Sequence, residues 1–155
     1  MDINQIIETW QINNRINLYL LDAVDGGQLA SRLSSLGRTA GEQFAHIHNV
    51  RLMWLKAAPP EALSSVSKIE KERSLDKELL HSSLTQSGIA IEKLMVSAAE
   101  NGGKVKGFKP HVTAFLGYLI AHDAHHRSQI IIALKQSGYQ LDKKVLYGIW
   151  EWGSR

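Results

Sequence analysis

An all-α fold is predicted for this chain of 155 residues: an antiparallel four-helix bundle with a short extra helix or turn and an aromatic C-terminal tail packed on the bundle. Three observations support the prediction. Apolar residues recur every three or four positions in four long segments, and no segment shows the sustained alternation of a strand. Glycine, proline or N-capping residues separate the segments. The length suits a single domain over residues 1–155, large enough to bury a core without disulfide bonds.

The first helix is predicted over residues 2–24 and is ended by Asp25-Gly26-Gly27. Its apolar stripe consists of Ile3, Ile6, Ile7, Trp10, Leu20 and Leu21. Three asparagines, Asn13, Asn14 and Asn17, lie on or beside this stripe, although asparagine is a poor interior helix residue. Two interpretations remain open: the amides form a solvent-facing polar patch, or they line a polar cavity.

Residues 28–37, with Leu29, Leu33 and Leu36, are predicted to form the short extra helix. Thr39 and Glu42 then form a capping box that starts the second long helix. This helix is predicted over residues 40–57, where Pro59 and Pro60 stop it.

The second helix carries His46 and His48, which point about 160° apart on a regular helix. They therefore cannot serve one site together. One of them is a candidate ligand, and the other is expected to contact solvent or the edge of the bundle.

Residues 61–73 are predicted to be a loop that has room for one helical turn. The third helix follows to Glu100, with Ser74 as N-cap and Asp76 in its first turn. The residues expected to face inward are Leu75, Leu79, Leu80, Leu84, Ile91, Leu94 and Met95. His81 has no ligand-like companion and is assigned to the surface.

The fourth helix is predicted over residues 110–137, between Pro110 and Gly138, with an exposed His111 near its first turn. The tail, residues 139–152, is predicted to pack back on the bundle and is rich in aromatic residues, which are Tyr139, Tyr147, Trp150 and Trp152.

The fourth helix also carries His122, His125 and His126 among apolar residues. His122 and His126 are one turn apart and about 40° around the helix from each other, so both imidazoles can reach one point beside it. Such a pair suits a divalent metal, because neutral imidazole binds Zn, Ni, Fe and Cu. A hydrogen-bonded core histidine is the alternative, since a buried imidazole needs a partner of some kind.

Composition excludes several function classes. The chain has no cysteine, which removes disulfide bonds, thiolate metal sites and a thiol nucleophile. No signal peptide or membrane span is recognisable, so a cytoplasmic protein that does not bind membranes is expected. The net charge is +3, with loose basic groups at Lys68, Lys71 and Arg73 and at Lys104, Lys106 and Lys109. These groups are not interleaved with aromatics, which favours a solvated surface over nucleic-acid binding.

Three segments together resemble one known family. Residues 41–55, GEQFAHIHNVRLMWL, resemble the second helix of the DinB-like superfamily of metal-binding four-helix bundles. Residues 122–129, HDAHHRSQ, resemble its HxxxHxxQ element, and residues 141–152 resemble the close of many members. The resemblance covers nearly the whole chain in order.

The resemblance implies a ligand set. His46, His122 and His126 match the three metal-binding histidines of the family, while His48 and His125 match places where the family often has histidines that do not bind metal. Arg127 and Gln129 match frequent family positions to which no role is assigned. The implied cofactor is a divalent transition metal: Zn, Ni, Fe or Mn.

Three imidazoles leave at least one coordination position for water or substrate, as in catalytic rather than structural sites. A metal there lowers the pKa of bound water or holds a thiolate or carbonyl. His125, Gln129, Asp123 and the asparagines of the first helix are the candidates for orienting that water.

The superfamily, as the resemblance implies, includes thiol S-transferases, a thiol-dependent isomerase and metal-dependent hydrolases. The chain is therefore expected to be a metal-dependent enzyme that acts on a small molecule, such as a low-molecular-weight thiol, by transfer or hydrolysis. The alternative is a non-catalytic metal-binding protein of the stress response. A third interpretation is a helical interaction protein whose histidines occur by chance. It is disfavoured because His46 falls at the position that completes the family pattern with His122 and His126. A homodimer is a family-level expectation.

Overall fold

The computed structural model describes residues 2–56 and 66–155. Five α-helices are present in these ranges: α1, Ile3–Asp22; α2, Ala40–Leu55; α3, Lys77–Glu100; α4, Val112–Gln136; and α5, Lys143–Gly148. Short 3-10 turns cover Gly26–Ala30, Lys71–Arg73 and Trp152–Ser154. The described residues contain no strand, only an isolated bridge between Arg32 and Thr39. The all-α prediction is confirmed.

The helix starts are set by capping side chains. At α2 the predicted capping box is present: the Glu42 amide donates to the Thr39 hydroxyl at 3.0 Å, and the Thr39 amide donates to the Glu42 carboxylate at 2.6 Å. The predicted start of α3 is two residues early. Asp76, not Ser74, accepts the helical amide of Leu79 at 3.0 Å. Ser74 instead ends the preceding 3-10 turn.

The ends of the helices agree with the sequence within two or three residues. α1 ends at Asp22, two residues before the predicted end. α2 ends at Leu55, and the residues predicted to stop it, Pro59 and Pro60, lie outside the described residues, as do residues 61–65 of the predicted loop. α4 is followed by Gly138, whose φ of +85° favours glycine.

α2 and α4 are antiparallel neighbours. Gln43, near the start of α2, donates to Gln129, and Trp54, near its end, packs edge-on against Phe115. α2 and α3 run in the same direction instead, because His48 contacts Ser83 and Arg51 contacts Ser87. Two consecutive helices that run in the same direction need a long connection between them, and residues 56–76 provide that length.

α1 completes the bundle opposite α2. The Trp10 indole donates to the Gly88 carbonyl at 2.8 Å, and Lys77, at the start of α3, donates to the Asp22 carbonyl at the end of α1. α1 and α3 are therefore antiparallel, and α1 and α4 are parallel. The bundle is thus not antiparallel throughout, because two of its four neighbouring pairs run in the same direction.

Two apolar clusters fill the ends of the bundle and leave a polar layer between them. One cluster surrounds Trp10, Leu55, Ile91 and Phe115; the other surrounds Leu20, Phe44, Leu80 and Ile130. Gly88 allows α1 and α3 to approach closely, since a Cβ there would lie 2.3 Å from the Asn14 amide.

The structure refines the expectations about three groups of apolar residues. In the segment predicted to be a short extra helix or turn, the chain makes a 3-10 turn over Gly26–Ala30 that buries Leu29 and leaves Leu33 and Leu36 exposed. Leu75 was predicted to face inward, which is wrong: it is exposed because α3 starts after it. In the tail, Tyr147 and Trp150 are 70% and 76% exposed, so the tail packs on the bundle with other residues.

The tail contacts the bundle through Leu141, which packs against the apolar cluster around Leu20, and through the segment that contains Gly148 and Arg155. Gly148 is buried beside Tyr19, and the Arg155 guanidinium lies 3.8 Å over the Tyr19 ring. Arg15 donates to the Arg155 carbonyl at 2.7 Å.

Candidate metal centre

The antiparallel packing of α2 and α4 brings His46 against His122 and His126. One ring nitrogen from each lies within 4.8 Å of the others. The ring centroids are 4.6 Å apart for His46 and His126, 4.5 Å for His122 and His126, and 5.4 Å for His46 and His122. Across residues 2–56 and 66–155, no other group of three or more histidine or carboxylate side chains is placed in this way.

The His126 ring is fixed by a glutamine on α2. Its Nδ1 lies 2.6 Å from the Gln43 amide oxygen, which can only accept, so Nδ1 carries the proton and donates. Gln43 is itself held, because its Nε2 donates to the Gln129 side-chain oxygen. The lone pair of His126 is consequently on Nε2, the nitrogen available to a metal. This outer partner is the kind that orients histidine ligands.

His122 has a carboxylate as its partner. Its Nδ1 lies 3.4 Å from Asp123 Oδ1, a long contact whose direction places the proton on Nδ1 and the lone pair on Nε2. Neither ring nitrogen of His46 has a hydrogen-bond partner among the residues that the structure describes. His46 is thus the least constrained of the three rings.

All three lone pairs are needed for metal binding, and the electrostatic surroundings keep two of the rings neutral. Burial, together with the neighbouring His122 and His46, lowers the pKa of His126 from 6.5 to about 3. Burial, Arg38 and His122 lower the pKa of His46 from 6.5 to about 4. Both rings are therefore unprotonated at neutral pH, the state in which imidazole binds a metal.

A polar cavity of about 390 Å³ opens beside His46. Its charged lining residues are Arg38, Glu42, Lys68, Glu70 and Lys71. The acidic residues are paired, Glu42 with Lys71 at 3.4 Å and Glu70 with Lys68 at 2.9 Å. Arg38 makes no hydrogen bond or ion pair within the described ranges. Of the three histidines, His46 lines this cavity, so a small molecule can approach the cluster from the side of His46.

The donor set fits a borderline divalent ion such as Zn, Ni or Fe. An ion about 2.1 Å from each nitrogen needs nitrogen separations of at most about 4.2 Å. The three nitrogens lie within 4.8 Å of one another, so the rings would have to move slightly closer to share one ion. No fourth histidine, aspartate or glutamate joins this cluster among the described residues. The three histidines could hold a metal ion and leave coordination positions open.

The proposed water-orienting residues have different surroundings. His125 is exposed, and its Nε2 accepts from the Gln129 amide at 2.6 Å. Gln129 is half-buried and links His125 to Gln43. Asp123 is fully buried and faces away from the cavity toward Arg51. Gln129 is thus two hydrogen bonds from the candidate ligand His126 and His125 is three, whereas Asp123 contacts the site only through His122.

Two interpretations were open for the asparagines of α1, a solvent-facing patch or the lining of a polar cavity, and the structure decides against both for Asn13 and Asn17. Asn13 and Asn17 are fully buried, and each amide donates to Asp123 Oδ2 at 2.8 Å. Their amide oxygens accept from Arg127 at 3.0 and 2.7 Å. They form neither a solvent-facing patch nor the lining of the histidine cavity. They are the centre of a closed polar layer.

Two arginines complete this polar layer. Arg51 donates to Asp123 Oδ2 at 2.9 Å and to Asn14 Oδ1 at 2.7 Å, and it stacks over the Trp10 ring at 4.8 Å. Burial opposes ionisation of Asp123, but Arg51 and the hydrogen bonds from His122 and Asn17 hold the pKa of that carboxyl well below its usual range. We use the name polar layer for Asn13, Asn17, Arg51, Asp123 and Arg127.

The sequence suggested that the second histidine of α2 contacts solvent or the edge of the bundle. His48 does neither. It is fully buried, and its two ring nitrogens lie 3.0 Å from the Ser83 carbonyl and 2.9 Å from the Ser67 carbonyl. Burial and Arg51 lower its pKa, while the two carbonyls raise it. His48 joins α2 to α3 and takes no part in the metal centre. His81 and His111 are exposed, as predicted.

Sequence reasoning gave no role to Gln43 or Arg51. Both are polar residues on the buried face of α2, three residues before His46 and five after it. A buried polar residue one helical turn from a candidate ligand is the signal that could have identified Gln43.

Comparisons with known proteins agree with this architecture. The model of the DinB family matches residues 1–145. A similar solved structure is the crystal structure, at 2.30 Å resolution, of YjoA, a DinB-like protein from Bacillus subtilis. The superposition has a TM-score of 0.61 at 15% sequence identity and covers 89% of this chain and 99% of that one. At this identity the likeness concerns the fold alone.

No curated protein sequence matches the chain significantly. No helix within the described residues is long and apolar enough to cross a membrane.

Proposed function

The chain belongs to the DinB family, and on this premise we propose that it is a divalent-metal-dependent enzyme that transfers a low-molecular-weight thiol to an electrophile or hydrolyses a small substrate. The observation that carries the proposal is the convergence of His46, His122 and His126, together with the open polar cavity that His46 lines. Two of the three rings are held with Nε2 free, which is the arrangement of a ligand set and not of a satisfied core.

The chain's own residues have separable tasks in this proposal. His46, His122 and His126 would hold the ion, and Gln43 and Asp123 would orient two of the rings. A bound divalent ion supplies Lewis acidity toward water, a thiol or a carbonyl. Gln129 and the exposed His125 lie next to the ligands and are the candidates for accepting or returning a proton. Arg38 and Lys71 line the cavity through which a substrate would approach.

The first test is elemental analysis of protein purified without a histidine tag, beside His122→Ala and the control variant His81→Ala. His81 is exposed and lies 3.6 Å from Asp22, remote from the ligand set. We expect about one equivalent of a transition metal in the wild type and the control, and none in His122→Ala. Wild-type protein that remains metal-free after incubation with Zn, Ni, Mn and Fe would refute the metal site.

The second test separates catalysis from simple binding. The metal-loaded wild type and His122→Ala are assayed for transfer of a panel of thiols to an electrophilic acceptor and for hydrolysis of activated esters and amides. We expect one activity that depends on the metal. A further sample carries cobalt in the site, so that its absorption spectrum reports ligand binding. Metal-loaded protein that has no activity, and whose cobalt spectrum does not change when any thiol is added, would favour the non-catalytic metal-binding alternative.

A further inference from the structure

A second cavity, of about 460 Å³, lies on the opposite side of α4 from the histidines. We call it the tail groove, because its walls are α4 and the segment 146–152. Its apolar lining consists of Ile120, Ile131, Leu146, Ile149, Trp150 and Trp152. The volume is within the range of small-molecule sites, which are mostly apolar with few polar groups. One charged side chain lines this groove, that of Arg127.

The polar layer behind Arg127 has a surplus of positive charge. Arg51, Arg127 and Asp123 are all more than nine-tenths buried, with exposures of 0%, 7% and 0%. Two guanidiniums thus share one carboxylate, and the remaining members, Asn13 and Asn17, are neutral. Buried charges in proteins are normally balanced by an opposite charge. The polar layer therefore contains two positive charges and one negative charge.

Arg127, which lines the groove, has N–H donors that no described residue uses. Its Nη1 donates to both Asn13 and Asn17, whereas Nε and Nη2 have no hydrogen bond to any described residue. The fully buried polar atoms without a partner, within the described residues, are the Ser31 hydroxyl, Arg51 Nε and Trp54 Nε1. The Arg127 Nε and Nη2 therefore keep contact with solvent. The edge formed by these two nitrogens is a fork that pairs with a carboxylate in a bidentate manner.

We propose that the tail groove binds a small amphipathic carboxylate, with an aromatic or aliphatic body between α4 and the tail and its anionic group on Arg127. The carboxylate supplies the missing negative charge, and the indoles of Trp150 and Trp152 contact the apolar body. Asn13 and Asn17 position the guanidinium, so the site is built before the ligand arrives. Nothing in this inference requires a metal at the histidines.

The test uses 2-naphthoate as the probe and 2-naphthamide as its uncharged isostere, with binding followed by calorimetry and tryptophan fluorescence. Loss of the charge-assisted hydrogen bonds should weaken binding of the amide by about 10- to 100-fold. Equal affinity for the two probes would overturn the role of Arg127. The absence of binding by 2-naphthoate up to millimolar concentration would overturn the site.

A matched pair of variants avoids disturbing the polar layer. Ala124 and Ala121 are both exposed residues of α4, but only Ala124 lines the groove. Ala124→Leu should fill the groove and weaken 2-naphthoate binding at least about tenfold, whereas Ala121→Leu should leave it unchanged. Equal effects of the two substitutions would contradict the location.

Two further measurements exclude other occupants. His122→Ala should bind 2-naphthoate like the wild type, so a failure of the metal site leaves this result unaffected; loss of binding in that variant would place the probe at the histidines and overturn the proposal. Sedimentation equilibrium should give the same mass for Ala124→Leu and Ala121→Leu. A wild-type dimer that dissociates only in Ala124→Leu would mean that a second copy of the chain fills the groove.

Discussion

Two polar clusters share α4, and they use their hydrogen-bonding capacity in opposite ways. His122 and His126 face α2, while Asp123 and Arg127, each one residue further along, face α1. In the polar layer, one carboxylate oxygen of Asp123 accepts from three donors. In the histidine cluster, the Nε2 lone pairs of the two oriented rings are left without a donor. A single helix therefore carries one cluster whose acceptor oxygen is saturated with donors and one whose lone pairs remain free.

The difference separates a structural polar cluster from a binding site. Both are buried or half-buried, and both contain groups with strongly shifted pKa values, so neither burial nor a shifted pKa distinguishes them. What distinguishes them is the number of lone pairs that remain directed at a common point. Three substitutions and a change of pH test this comparison.

The largest effect is expected for Asp123→Asn, which removes the only carboxylate of the polar layer. Two buried guanidiniums would then lack a counter-charge, and the free energy of unfolding of the metal-free protein should fall by about 3–5 kcal/mol. Urea unfolding measures it. Asp22→Asn, at an exposed position, is the control and should change stability by less than about 0.5 kcal/mol. A similar stability of Asp123→Asn and the control would mean that the layer does not depend on its ion pair.

His46→Ala should show the reverse pattern. His46 is half-buried and has no hydrogen-bond partner within the described ranges, so the stability of the metal-free protein should change by less than about 1 kcal/mol. Metal affinity should fall by more than about 100-fold, which exceeds the effect of losing an outer partner of a ligand. Competition with a chelating dye measures the affinity. Unchanged affinity would exclude His46 from the ligand set.

Gln43→Leu tests the partner of a ligand while preserving the size of the side chain. Without the Gln43 oxygen, the Nδ1–H of His126 has no acceptor and the ring loses its orientation, so metal affinity should fall by about 10- to 100-fold. Gln129→Leu, one hydrogen bond further from the metal, should have a smaller effect. The opposite order would show that the chain from His126 through Gln43 to Gln129 is not what fixes the ring.

The last test of the comparison is the dependence of stability on pH. The pKa of His46 is about 4 and that of His126 about 3 in the folded protein, both below the ordinary 6.5, because burial disfavours the charged ring. The unfolded chain therefore binds more protons between these values, and the metal-free protein should lose stability as pH falls from about 7 toward 4.

The double variant His46→Gln, His126→Gln is the control for this dependence on pH. Its urea midpoint should vary less between pH 7 and 4 than that of the wild type, because two groups with depressed pKa values are absent. An identical pH dependence of the two proteins would assign the effect to other groups.

Much of the fold follows from local signals in the sequence. The apolar period of each segment predicts its helix. The capping box of Thr39 and Glu42 marks the start of α2, and Gly138 marks the end of α4. These signals could be recognised in the sequence because each acts within one helical turn. The alignment of His122 with His126 is likewise a property of one helix. The addition of His46 required the resemblance to a family, since periodicity says nothing of which helices meet.

The failures have a common physical cause. A helical period gives the direction of a side chain on its own helix but not the element that it faces. Asn13 and Asn17 therefore could not be assigned to Asp123, nor His48 to the carbonyls of Ser67 and Ser83, before the packing was known. The parallel course of α2 and α3 was missed for the same reason. It depends on the path of a connection whose sequence lacks a strong structural signal.

The positions of the three candidate ligands in the chain would have a consequence for how the protein acquires an ion. The unfolded chain offers only His122 and His126 as neighbours, and His46 joins them when the last long helix docks on α2. An ion is then a ligand of the native state, and each tenfold excess of free metal over its Kd adds about 1.4 kcal/mol to the free energy of unfolding. During synthesis α4 leaves the ribosome last of the four long helices. Metal uptake would thus report that folding is complete.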